Sequence, residues 1–69
     1  MPKKIRELKK MLSKAGFQEI PGRSHTNWIH PLYLGKVTLS GQNSEDAKKY
    51  QEKEVKQAIQ EVGRKRENG

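Results

Sequence analysis

The residues best suited to chemistry in this chain are Gly22, Arg23, Ser24 and His25, which lie together at the start of its most apolar, aromatic-bearing stretch. Histidine exchanges protons near neutrality because its ordinary pKa is ~6.5. RNA carries its own nucleophile, the ribose 2′-hydroxyl, which needs only deprotonation and charge stabilisation to cleave the adjacent phosphodiester. A histidine close to an arginine in a basic protein therefore indicates RNA as a substrate, cleaved without a metal.

The overall charge of the chain favours a polyanionic partner. Lys and Arg number 15 against 8 Asp and Glu, which gives a formal net charge of +7. Nucleic acid binds such proteins through phosphate neutralisation and counterion release. A basic surface that is merely solvated is the alternative. An anionic membrane is disfavoured, because the apolar helical stripes are too narrow and too poor in bulky aromatics for an interfacial anchor.

Length and composition bound the architecture. A chain of 69 residues predicts one domain over residues 1–69. Its core is expected to contribute no more than ~3–5 kcal/mol. The chain has no cysteine, so disulfides and thiolate zinc sites are excluded. No apolar run approaches the ~20 residues that span a bilayer, and the charged amino-terminal segment does not look like a secretion signal. We expect a soluble, cytoplasmic protein.

An amphipathic helix is predicted near the amino terminus. Apolar residues recur at helical spacing from Ile5 to Ala15, and we expect the helix to begin near Pro2 and to end at Gly16. Lysines, among them Lys9 and Lys10, fill its polar face. These lysines are either solvated or turned towards phosphate.

A second helix is predicted near the carboxyl terminus, after a polar loop. Its apolar positions repeat at helical spacing and are Val55, Ala58, Ile59 and Val62. We expect the helix to stop at Gly63. Residues 64–69 are expected to form a frayed tail.

Between the helices, short segments bounded by turn residues predict three antiparallel strands, at residues 17–20, 26–30 and 36–40. Trp28 is the expected core anchor of the second strand, because its ring buries the most area. Val37 and Leu39 are expected to face the core from the third. Side chains two residues apart share a face, so His25 should lie on the face opposite Trp28 and His30.

No metal-binding arrangement is visible. A metal site would need both histidines, or one histidine with clustered carboxylates, to converge on one point. The two histidines are expected on different faces, and the carboxylates concentrate near the second helix beside lysines, where surface ion pairs explain them. We therefore expect no metal and no other cofactor, and we interpret His30 as a structural residue at a strand end.

The order of these elements predicts an α+β fold, helix, three strands, helix. Each helix has one apolar stripe and the sheet has one apolar face, so both helices should pack on the same face of a three-stranded antiparallel sheet. A double-stranded-RNA-binding domain has this order. Such domains recognise A-form RNA through phosphates and 2′-hydroxyls.

The chain also resembles the HicA family of toxin–antitoxin systems over almost its whole length. The resemblance is carried by the leucine-rich helix from Leu8 to Phe17 with its Ala-Gly-Phe end, by the Gly-x-Ser-His element at 22–25, by His30-Pro31 and by the segment 37–41. It continues through the segments 46–48 and 50–53, followed by Val55 and Ala58. Two positions depart from the family pattern. Arg23 stands where the family commonly has glycine, and Thr26 stands where it commonly has a second histidine.

The resemblance implies a small bacterial ribonuclease with a fold like that of a double-stranded-RNA-binding domain. It implies endonucleolytic cleavage of mRNA, arrest of growth, and relief when a HicB antitoxin covers the site. It also implies that His25 is the catalytic residue.

From the residues we infer a mechanism in which neutral His25 takes the proton of the 2′-hydroxyl, which attacks the phosphorus in line. Arg23 or a nearby lysine such as Lys36 would stabilise the charge of the transition state.

Other side chains near His25 or on the first helix are expected to bind RNA. The predicted RNA-binding residues are Arg23, Ser24, Lys36, Lys9 and Lys10. Ser24 either orients the loop through a hydrogen bond or takes part directly. Gly22 is expected to supply backbone freedom at the turn.

Two other classes of function remain open. A pure double-stranded-RNA-binding module would keep the basic faces and would not need a histidine. A protein-interaction module would bind its partner through the open face of the sheet and would show little salt-dependent affinity for RNA.

Overall fold

The computed structural model describes residues 3–68. Three strands form one antiparallel sheet in the order β1-β2-β3, with a helix before and a helix after them in the chain. The elements are α1 (Ile5–Lys14), β1 (Gln18–Pro21), β2 (His25–His30), β3 (Tyr33–Ser40) and α2 (Lys49–Asn68). The predicted α+β order is confirmed.

The core lies between the two helices and one face of the sheet. Its buried members are Ile5, Leu8, Leu12, Phe17, Trp28, Val37, Leu39, Ala47, Val55, Ala58 and Val62. Trp28 pairs with Val37 across β2 and β3, so the two share the core face. Asn27 pairs with Thr38 on the opposite face, which is open. Both helices therefore pack on one face, as predicted.

The end of α1 lies where the sequence predicts it. Gly16 has φ of 94°, in the left-handed region that favours glycine. The Phe17 N–H donates to the Leu12 carbonyl at 3.0 Å, and the Gly16 N–H donates to the Ser13 carbonyl at 3.1 Å. This pair of bonds is a Schellman end, and it turns Phe17 into the core. Pro2 lies outside the described residues, but the helix begins later than predicted, at Ile5.

The loop between β3 and α2 caps the amino terminus of α1. The side chain before α1 makes no capping bond. Instead, the Ile5 N–H donates to the Glu45 carbonyl at 2.9 Å and the Arg6 N–H donates to the Asn43 carbonyl at 3.2 Å. Because the first N–H groups of a helix need partners from outside it, these bonds fix residues 42–46 against α1.

The start of α2 is tied to the end of β3 through Gln51, which is buried. Its Oε1 accepts a bond from the Lys48 N–H at 2.8 Å, which caps the helix, and its Nε2 donates to the Ser40 carbonyl at 3.3 Å. Ser40 pairs in turn with His25 across the sheet. The buried Gln51 thereby helps to hold the end of β3 that pairs with His25 at the start of β2.

β3 begins earlier than predicted. A tight hairpin pairs Tyr33 directly with His30, and the register then shifts before the Trp28–Val37 pair. Gly35 lies within this irregularity with φ of 95°. A glycine that the sequence predicts as a turn residue thus occupies a bulge, where three residues of β3 face one residue of β2.

α2 is longer than predicted. The expectation that the helix stops at Gly63 is wrong, because the helix is continuous to Asn68. Fraying of the tail at residues 64–69 stays a prediction. A glycine inside a helix costs only ~1 kcal/mol relative to alanine, so packing can override it. The packing here includes Arg66, whose Nη2 donates to the Ala15 carbonyl at 3.1 Å.

Candidate functional site

A concavity of about 510 Å³ opens at the end of the sheet where β2 begins and β3 ends. Its walls come from the β1–β2 loop, the first residues of β2, the turn after β3, and α1. The lining residues are Lys9, Gly22, Arg23, Ser24, His25, Thr26, Gly41 and Gln42. All four residues of the predicted element therefore line one space, and its volume is typical of ligand sites, ~300–1,000 Å³.

His25 takes the first position of β2. Its pairing with Ser40, next to the Thr26–Leu39 pair, places it on the face opposite Trp28, as predicted. The side chain is exposed. Within residues 3–68 its imidazole makes neither a hydrogen bond nor an ion pair. Both ring nitrogens are thus free to meet a ligand.

Gly22 shapes the loop before His25 for a steric reason. A Cβ at Gly22 would lie 2.6 Å from the His25 carbonyl oxygen, which is closer than side chains come to backbone. The backbone there does not have the positive φ found at Gly16, Gly35 and Gly41. Close approach of the loop backbone therefore requires glycine at this turn, and the expected role of Gly22 in supplying backbone freedom stays a prediction.

Two cations line the concavity with His25. Arg23 is exposed in the β1–β2 loop. Lys9 is half-buried on α1, and its Nζ donates to Asn43 Oδ1 at 2.8 Å. Among the described residues no carboxylate pairs with either cation. The concavity combines a free imidazole with two positive charges, which suits an anionic ligand.

Residues 5–63 match the family described as the HicA toxin of bacterial toxin–antitoxin systems. The chain belongs to the HicA toxin family. It is therefore a toxin, and the class of protein that partners it is an antitoxin. Neither the curated proteins nor the solved structures compared with the chain gave a match. The matched range includes α1, the whole sheet and every residue that lines the concavity.

The toxin fold leaves two predicted RNA-binding lysines away from the concavity. Lys36 precedes Ser40 by four positions along β3, which at ~3.3 Å per residue separates it by about 13 Å from the strand end paired with His25. Lys10 follows Lys9 on α1 and is rotated by ~100° about the helix axis. Neither lines the concavity. RNA binding by these two residues stays a prediction.

Ser24 lines the concavity and is exposed. Its hydroxyl makes no hydrogen bond within residues 3–68. Of the two roles open to it from sequence, this geometry favours direct contact with a ligand.

Sequence reasoning missed Gln42 and Asn43. Both lie in a polar segment for which the sequence predicts only a loop. Asn43 is 34 residues from Lys9 along the chain, so no local spacing reveals their contact. The need of α1 for capping partners is the one signal that could have suggested docking of this loop.

The second histidine of the toxin is built into the structure at the other end of β2. His30 Nδ1 accepts a hydrogen bond from the Leu32 N–H at 3.0 Å. Its ring lies 5.1 Å from the ring of Phe17, and its Nε2 lies 3.3 Å from Arg66 Nη2. These contacts agree with its interpretation as a structural residue.

Two further features of the described residues bear on other classes of function. Residues 3–68 contain no group of three or more His, Cys, Asp or Glu side chains that could hold a metal ion. None of the helices in this range is both long enough and apolar enough to cross a membrane.

Proposed function

We propose that this toxin is an endoribonuclease that cleaves mRNA with His25 as its general base and without a metal. The observation that carries the proposal is an exposed imidazole that makes no hydrogen bond to another described residue, in a concavity that also holds Lys9 and Arg23. The proposal takes residues 1–69 as one RNA-cleaving domain that acts in the cytoplasm, where mRNA is found.

In the proposed reaction, the neutral imidazole of His25 accepts the proton of a ribose 2′-hydroxyl while that oxygen attacks the adjacent phosphorus. The bond from phosphorus to the 5′-oxygen breaks, and the leaving oxygen takes a proton from solvent. The products are a 2′,3′-cyclic phosphate and a 5′-hydroxyl. General base catalysis contributes ~10²–10⁴-fold, and cations near the phosphate stabilise the charge that develops on it.

RNA binding is proposed at two levels. Arg23, Ser24 and Lys9 contact the RNA at the site of cleavage. Lys10 and Lys36 lie outside the concavity and bind phosphates farther along the RNA. Because each contact releases counterions, affinity should fall as salt is raised.

An antitoxin of the HicB type is the proposed inhibitor, and it covers the concavity. A partner with acidic groups would complement the net charge of +7. Covering the concavity blocks access of RNA to His25 without any change of the toxin fold, so the complex should unfold at a higher temperature than the free toxin.

The test is cleavage of a defined RNA by the wild-type toxin and by His25→Ala, each with excess EDTA. The wild type should cleave with EDTA present and leave a 2′,3′-cyclic phosphate, and His25→Ala should cleave ~10²–10⁴-fold more slowly. RNA with a 2′-deoxy nucleotide at the cut site is the substrate control and should resist. Full activity of His25→Ala, or loss of activity on chelation that magnesium restores, would contradict the proposal.

A non-catalytic double-stranded-RNA-binding module is the second candidate, and the order of helices and strands favours it. It predicts salt-dependent binding of duplex RNA by both proteins and no cleavage by either.

A further inference from the structure

Lys9 differs from its exposed neighbours on α1. Lys10 and Lys14 are exposed, whereas Lys9 is half-buried and bonded through Nζ to Asn43 Oδ1 at 2.8 Å. An exposed lysine samples many rotamers and loses that freedom when it binds a ligand. The ammonium group of Lys9 is already held beside the concavity, so less freedom remains to be lost.

Asn43 is itself fixed to the same helix. Its backbone carbonyl accepts a hydrogen bond from the Arg6 N–H at 3.2 Å. Its side chain accepts a second hydrogen bond from Nζ of Lys9, which lies three residues after Arg6 on α1. The same loop supplies Gly41 and Gln42 to the wall of the concavity. The bond between Lys9 and Asn43 therefore joins two walls of one site.

The anchor of Lys9 is neutral. An ammonium group has three donors, and the amide oxygen of Asn43 takes one of them, which leaves two for phosphate oxygens. A carboxylate at the same place would form an ion pair and cancel the charge that the site presents. Asparagine holds the lysine in place and keeps its charge available.

We propose that Lys9 is a catalytic residue and that Asn43 is its positioning residue. Lys9 Nζ contacts a non-bridging oxygen of the phosphate under attack and stabilises the second negative charge that the transition state gains. No covalent bond to Lys9 forms or breaks. This inference rests on the proposed ribonuclease function and assigns to α1 the cationic role for which the sequence suggested Arg23 or Lys36.

Two variants and two matched controls test the proposal. Lys9→Met keeps the length and packing of the side chain and removes its charge; Lys14→Met removes the same charge from an exposed position on the same helix. Asn43→Asp keeps an oxygen at the anchor and adds a negative charge; Gln60→Glu adds that charge on an exposed position of α2. Thermal unfolding checks that all four variants fold.

The measurements separate catalysis from binding. Single-turnover cleavage at saturating toxin gives the rate, and 2′-O-methyl RNA of the same sequence, which lacks the nucleophile, gives the affinity. Loss of one donor to a transition-state oxyanion lowers the rate by ~10²–10³-fold, so we expect Lys9→Met to reduce the rate about 100-fold. Its loss of affinity should be much smaller than this loss of rate.

We expect Asn43→Asp to lower the rate at least about tenfold, which is a 1.4 kcal/mol change in the barrier. In the Lys9→Met background the same change should have no further effect, since both variants act through one ammonium group. Gln60→Glu should leave the rate unchanged. If Asn43→Asp does not fold, Lys9→Met decides the outcome alone.

The outcomes also separate this inference from the function on which it rests. If the wild type cleaves and His25→Ala is ~10²–10⁴-fold slower, but Lys9→Met cleaves as fast as Lys14→Met, Lys9 is not catalytic and the ribonuclease proposal stands. If the wild-type toxin does not cleave RNA, both proposals fail.

Discussion

β2 carries a histidine at each end, and the two ends are built differently. His25 is exposed, and within the described residues its ring has no hydrogen-bond partner. His30 is half-buried, accepts a bond from the Leu32 N–H at 3.0 Å and packs 5.1 Å from the ring of Phe17. A histidine acts as a base only if a ring nitrogen can reach the substrate proton. The difference shows that the surroundings of a histidine, and not its residue type, decide whether it is available for chemistry.

The charges around the two histidines differ as well. The concavity beside His25 is lined by cations and polar groups, with no carboxylate among its lining residues. At the His30 end, burial raises the pKa of the Tyr33 hydroxyl, and the carboxylates of Glu61 and Glu54 raise it further. The His25 end of the sheet presents positive charge to a ligand. At the His30 end, aromatic and charged side chains contact one another instead.

The largest expected effect comes from replacing the two histidines in turn. His25→Ala should lower cleavage by ~10²–10⁴-fold because the general base is lost, and should change the free energy of unfolding by less than ~0.5 kcal/mol. His30→Ala should lose ~1–3 kcal/mol of stability and keep its cleavage rate below its melting temperature. Cleavage assays and denaturant unfolding of both variants check this. Equal losses of activity in the two variants would contradict the assignment of a catalytic role to His25 and a structural role to His30.

A glycine at each end of the sheet gives the next test. Gly22→Ala places a Cβ 2.6 Å from the His25 carbonyl oxygen, so the loop must shift. A displacement of ~1 Å at a reacting group can cost ~10²-fold in rate, and we expect a loss of that order.

Gly16→Ala is the matched change at the His30 end. Its φ of 94° is unfavourable for alanine, and its Cβ would meet Arg66 Nη2 at 2.9 Å. We expect a loss of ~1–2 kcal/mol in stability from the backbone conformation, with cleavage retained. Unfolding curves and single-turnover rates measure both variants. A slow Gly16→Ala that unfolds like the wild type would show that the two ends are coupled.

Sequence alone predicted the features that depend on local periodicity. The apolar stripe of α1 and the placement of His25 opposite Trp28 follow from repeats of three to four residues or of two, and the end of α1 follows from the glycine at position 16. Each was found. The element order followed from the same patterns.

Features that depend on contacts between distant segments could not be predicted. Lys9 meets Asn43 across 34 residues, and Arg66 meets Ala15 across 51, which extends α2 past Gly63. The steric role of Gly22 depends on how the loop folds back on His25. None of these contacts produces a recognisable pattern of residue spacing in the sequence.

A smaller effect is expected from a substitution near the His30 end that should raise the stability of the fold without changing cleavage. Gly63 lies inside α2, and a Cβ there would have no atom of the described residues within 4 Å apart from its own helix backbone and chain neighbours. Gly63→Ala should add ~0.5–1 kcal/mol of stability, because alanine has the better helix propensity, and should leave cleavage unchanged. Gly35→Ala is the control: its Cβ is equally unobstructed, but φ of 95° should make the change destabilising. Thermal unfolding of both variants measures this, and a destabilised Gly63→Ala would contradict the proposed helix geometry.

The smallest effect concerns alkaline pH at the His30 end. The pKa of Tyr33 is raised above 10.0 in the folded toxin, so the folded state holds the phenol proton more tightly than the unfolded state does. The resulting stability is present below the unfolded pKa of ~10 and is lost as the pH rises through the folded pKa. Denaturant unfolding of the wild type and Tyr33→Phe between about pH 8 and 11 should therefore show a steeper decline for the wild type. Lysines titrate in this range too, but they are the same in both proteins, so the difference between the two curves isolates Tyr33. Parallel curves would mean that the phenol of Tyr33 gains nothing from folding, and that the His30 end is less closed than its contacts indicate.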